Sequence, residues 1–73
     1  MLYKHKIYKH INMTDVAFLV TDISDGFPDE YFVRGYWLRN TGLGNKMHQL
    51  CHDTITVKFH DVINWIAIEE EIA

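Results

Sequence analysis

A chain of 73 residues with a formal charge of −3 and one cysteine makes a single small domain, residues 1–73, that no intrachain disulfide can staple. The balance is too acidic for a strongly basic nucleic-acid-binding domain, so nucleic acid is not an expected partner. No apolar stretch is long enough for a membrane-spanning helix, and no signal-peptide run opens the chain, so the expected setting is the reducing cytoplasm.

Residues 2–13 set Tyr3, Ile7, Ile11 and Met13 in one parity and Lys4, Lys6, Tyr8 and His10 in the other. This predicts an opening basic strand, ended by a turn at 12–15. Residues 16–23 predict a second strand, with Val16, Phe18 and Val20 on its inner face. Residues 24–30 hold Asp25, Gly26 and Pro28 among other turn formers and read as a loop.

Residues 31–39 predict the third strand, and here neither phase is polar. One phase carries Tyr31, Val33, Gly35 and Trp37; the other carries Phe32, Arg34, Tyr36 and Leu38. A strand with one buried face alternates apolar with polar, so the second face should meet another molecule. Gly35 predicts a bend, a bulge or a close backbone approach.

Residues 40–45 predict a second, glycine-containing loop, and residues 47–51 fit a helical turn or a short strand equally. Residues 54–59 alternate as a fourth strand, residues 60–64 suit one tight helical turn, and residues 65–68 make a last strand before Glu69, Glu70 and Glu71. The expected core is Val16, Phe18, Val20, Val33, Trp37, Ile55, Val57, Phe59 and Trp65. The expected fold is all-β: a small five-stranded antiparallel barrel with one short helical turn.

That order of elements resembles the Src-homology-3-like barrels, in which a single tight turn joins the last two strands. The segments Asp15-Val-Ala-Phe18, Tyr36-Trp-Leu-Arg39 and Asn64-Trp65 resemble small proteins encoded by bacteriophages. The resemblance implies an accessory or anti-defence role in the host cytoplasm.

Chemistry-bearing clusters are sparse. His48, Cys51 and His52, with His60 further on, have zinc-type side chains but lack paired-cysteine spacing, so no metal and no cofactor is expected. Cys51 and His52 are adjacent and would point to opposite faces of a strand, which rules out a nucleophile–base pair between them. Asp22, Asp25, Asp29 and Glu30 lack calcium-loop spacing. No catalytic set emerges, and the chain does not read as an enzyme.

Two binding surfaces remain. Phe32, Tyr36 and Leu38 are the expected interface, toward a host protein or a second copy. Arg34, Arg39 and Lys46 around the glycine loop, with Tyr36 to stack on a base, are the expected ligand residues for a phosphorylated nucleotide. The leading reading is a non-enzymatic binding module. The alternative is an oligomer that sequesters a cyclic nucleotide signal.

Overall fold

Alternating runs joined by short turns pair with their sequence neighbours, and the runs up to residue 58 do so here, whereas the last two strands pair with the first and the fourth. The computed structural model describes residues 1–40 and 46–72. Its elements are β1 (Ile7–His10), β2 (Val16–Gly26), β3 (Glu30–Asn40), β4 (Lys46–Lys58), a 3-10 helix (Phe59–Asn64), β5 (Trp65–Ile68) and β6 (Glu71–Ile72). They form one sheet in the order β5-β1-β2-β3-β4-β6. β1 to β5 pair antiparallel, and the two-residue β6 runs parallel to the start of β4. The all-β fold and its single helical turn agree with expectation.

β2, β3 and β4 are 11, 11 and 13 residues long, and they build an arm that gives the molecule its 41 Å long axis. The loop expected at 24–30 is shorter than its composition suggests. Ser24, Asp25 and Gly26 stay in the ladder opposite Phe32, Tyr31 and Glu30, leaving residues 27–29 as the connection. The undecided stretch 47–51 is strand, continuous with the rest of β4. At the other end the expected opening strand shortens. Residues 2–6 precede β1, the chain turns at Lys4 and His5, and the His5 N–H donates to the Val20 carbonyl at 2.7 Å.

Two bulges flank β3. Val20 opposes Gly35 and Asp22 opposes Arg34, so Thr21 is an extra residue in β2. Its hydroxyl donates to the Arg34 carbonyl at 3.2 Å. Tyr36 opposes His52 and Leu38 opposes Gln49, so Leu50 and Cys51 together face Trp37. Each bulge breaks the period-two pattern. That is why Ile23 joins the Phe18 and Val20 face despite its opposite parity.

Both faces of the sheet carry a core. On the first, Leu2, Tyr8, Phe18, Val20, Val33 and Val57 are buried, and Val62 of the 3-10 helix packs over them with Trp37, Ile55 and Trp65. On the second, Ile7, Ala17, Leu38 and Met47 pack with Leu19 and Ile68, so each of β1 to β5 contributes. The second cluster exists because the sheet rolls. β5 and β6 lie on opposite edges yet are joined by Glu69 and Glu70 alone. Three Cα steps reach about 11 Å, whereas six flat strands would be roughly 24 Å across.

The rolling and the start of the helix each correct one expectation. Leu38 is 0% exposed; its partner is the chain's own second cluster, so it offers no area to another molecule. Phe59 is 48% exposed, because the strand gives way to helix at that residue. Its ring tilts against Tyr31, centroids 4.8 Å apart, instead of entering the core. Val16, Trp37, Ile55 and Trp65 are half-buried, and Phe18, Val20, Val33 and Val57 are buried as expected.

Candidate functional site: the exposed face of the arm

Beyond the rolled end, the second face of the arm has no covering element among the described residues. Register places three rows across it: Leu19–Tyr36–His52, Asp22–Arg34–Thr54 and Ser24–Phe32–Thr56. Phe32 is 42% exposed. Tyr36 is half-buried and meets the edge of the His52 ring, centroids 5.1 Å apart. Arg34 lies between the two aromatic rows and is exposed.

The charges on this face are largely matched. Lys4 Nζ lies 3.3 Å from Asp22. The Asp22 carboxyl is held below its ordinary value first by that Lys4 hydrogen bond, then by the Ile23 N–H, with Arg34 adding a smaller attraction. Lys4 is therefore close to Arg34. Lys58 lies 3.4 Å from Glu30 and 3.8 Å from Asp29. Exposed pairs of this kind add little stability, but they leave the aromatic rings as the distinctive chemistry of the surface.

The arm's tip carries one residue that sequence reasoning missed. Phe27 is 91% exposed. The signal was available, since a phenylalanine between Gly26 and Pro28 in a tight connection cannot reach a core. The turn also supports Phe32: a Cβ on Gly26 would come within 3.2 Å of Phe32 Cζ and closer still to Glu30.

The four expected ligand residues do not converge. Arg34 and Tyr36 share the exposed face. Arg39, in the opposite phase and directly across from His48, faces the other way, and Lys46 has the phase of His48. Lys46 also stands beside Glu71 at the β4–β6 pairing. The glycine loop meant to complete this site, residues 41–45, lies outside the described residues. A cavity of about 160 Å³ opens at the rolled end, with Lys9, Asp15, Asn40 and Glu70 around Met47 and Ile68. Pockets that enclose a small-molecule ligand measure roughly 300–1,000 Å³, so a nucleotide does not fit within it.

His10 anchors a polar network beneath the 3-10 helix. Its Nδ1 accepts the Asn12 N–H at 3.1 Å, which leaves the ring hydrogen on Nε2, directed at Asp61 at 3.1 and 3.2 Å. Asn64 Nδ2 donates to Asp61 at 2.7 Å. The Asp61 carboxyl is held low by Asn64 first and His10 second. The Trp65 indole N–H is buried without hydrogen-bond geometry to any acceptor among the described residues, yet lies near enough to the Asp61 carboxylate to favour its charged form slightly. This network pins the helix over the first core. Among the described residues no group of three or more His, Cys, Asp or Glu is placed to hold a metal, and Cys51 is exposed at its bulge. No helix among the described residues is long and apolar enough to cross a membrane.

No protein family, curated protein or solved structure matches this chain.

Proposed function

We propose that the protein is a non-enzymatic binding module that docks a partner protein on the exposed face and tip of its β2–β4 arm. The observation that carries this reading is the exposure of Phe32 and Phe27 on an arm whose opposite face the chain covers with its own 3-10 helix. Exposed aromatic side chains on a rigid sheet are the groups that most often anchor protein interfaces, and Tyr36, Arg34 and His52 surround them with hydrogen-bonding rim. The resemblance to bacteriophage proteins supports a host protein as the partner, in the host cytoplasm, with an accessory or anti-defence role.

The test uses immobilised wild-type protein and the variants Phe32→Ser and Tyr36→Asp against host-cell extract. A stoichiometric host protein retained by wild type and lost from both folded variants supports the reading. Equal retention by all three, or none at micromolar bait, removes it. The nucleotide alternative is supported only by Arg34, Tyr36 and His52 lying together on one face. It predicts a thermal shift with one cyclic dinucleotide from a panel, abolished by Arg34→Ala.

A further inference from the structure

β4 is the outer strand of the arm, and β6 covers it only at Lys46 and Met47. Past the bulge at Leu50 and Cys51, residues 52–58 have β3 on one side and, among the described residues, no strand on the other. The chain leaves this edge at once. Phe59 N–H donates to the Asp29 carbonyl at 2.9 Å, and the 3-10 helix leads across the first face to β5, which pairs with β1 at the far edge. Along the open edge, alternate peptide groups direct N–H and C=O into solvent.

Natural edges are blunted by charge, proline or bulges. Here the bulge with Asp53 beyond it fences one end and Lys58 the other, but Thr54, Ile55, Thr56 and Val57 between the two charges are four consecutive uncharged, β-branched residues. Such a run favours strand pairing. Val57 is 2% exposed, while Ile55 remains half-buried with room to gain cover.

We infer that this edge pairs antiparallel with β4 of a second copy, about a two-fold axis at Thr56. In a two-fold antiparallel pair, residues equally spaced from the axis stand opposite each other on the same face. An axis at Asp53 or Lys58 opposes like charges. An axis at Ile55 sets His52 against Lys58 and Asp53 against Val57; an axis at Thr54 sets Asp53 against Ile55. The axis at Thr56 sets Ile55 against Val57 of the second copy twice, Thr54 against Lys58 twice, and Thr56 against itself. The apolar row Val33–Ile55 then continues into Val57 and Tyr31 of the second copy, and three strands become six. Arg34, Phe32 and Tyr36 stay on an open face, so the pairing is independent of the docking surface proposed above.

Light scattering on wild-type protein, with cross-linking of cysteine variants in a Cys51→Ser background, tests it. The expected mass is twice that of the chain, and Thr56→Lys, which places like charges at the axis on an exposed position, halves it while the circular dichroism stays native. Thr56→Cys is expected to oxidise to a covalent dimer, since directly opposed Cα atoms lie about 4.5–5.5 Å apart. Thr54→Cys stays uncross-linked, because its two copies are offset by four residues, roughly 14 Å. Tyr36→Asp leaves the mass unchanged, which separates a failure here from a failure of the docking surface. A wild-type chain that is monomeric at millimolar concentration overturns the inference and leaves the edge to an extended segment of another protein. A dimer that survives Thr56→Lys, or that cross-links equally through position 54, overturns it too.

Discussion

Gly35 shows how much a single residue controls. It opposes Val20 beside the Thr21 bulge, and a Cβ there would collide with the Leu19 carbonyl oxygen and stand 2.8 Å from Phe18 Cε2. Of the three meanings an interior glycine could have, this one is close backbone approach, next to a bulge. Phe18 is 0% exposed and has nowhere to move. Gly35→Ala is therefore expected to destabilise the fold by about 1–3 kcal/mol as an overpacking change, read as a lower urea midpoint with an unchanged slope. Acidity probes a second set of residues. Asp61 is held low by Asn64 and His10, Asp53 by the Trp37 indole and the Thr54 N–H, and Asp22 by Lys4 and the Ile23 N–H. Each binds its proton less readily folded than unfolded. Their ionised forms therefore favour the folded state fully above about pH 4, the ordinary aspartate value, and that contribution is lost as pH falls through the lowered folded values. Urea midpoints measured from pH 6 to pH 2.5 should fall below pH 4 for wild type and fall less for Asp61→Asn. Parallel curves would mean that the His10–Asp61–Asn64 contacts do not discriminate between the two forms.

At the scale of elements, most of the order was legible and most of the boundaries were not. Residues 31–39, apolar in both phases, and the alternating run 54–59 are strand as far as Lys58; the helical turn expected at 60–64 begins one residue earlier, at Phe59. The exceptions are the two bulges and the tip. An extra residue at Leu50–Cys51 breaks the period of two at the start of β4, where residues 47–51 fit helix and strand equally, and the one at Thr21 moves Ile23 to the face opposite its sequence parity. Asp25 and Gly26 are turn formers by composition, yet the twisted ribbon holds them in its ladder. The arm also gives the docking surface a clean test. Phe27 is 91% exposed, so Phe27→Ser is expected to change stability by no more than about 0.5 kcal/mol while weakening the proposed partner binding at least tenfold. A thermal midpoint that drops by many degrees would show that the ring is structural after all.

For the whole molecule, the informative finding is that the chain covers part of the second face by itself. Phe32, Tyr36 and Leu38 read alike in sequence, as three apolar residues of one phase. Only the meeting of β5, β1, β2, β3 and β4 around Leu38 separates them, and that depends on the two-residue link Glu69–Glu70, which no local pattern announces. Leu38→Ala should therefore cost about 2–5 kcal/mol as a core truncation, whereas Phe32→Ala, at 42% exposure, should cost much less. Thermal denaturation of the pair distinguishes them, since each kcal/mol moves the midpoint of a domain this size by roughly 4–8 °C.

The two bulges stand at one level of the sheet, on either side of residues 35–37 of β3. After each extra residue the ladder resumes with opposed side chains on their original faces. An insertion or deletion there alters how the arm is bent without turning any apolar residue outward. In evolutionary terms this level is a joint: single-codon changes there can re-aim the arm while both cores keep their composition.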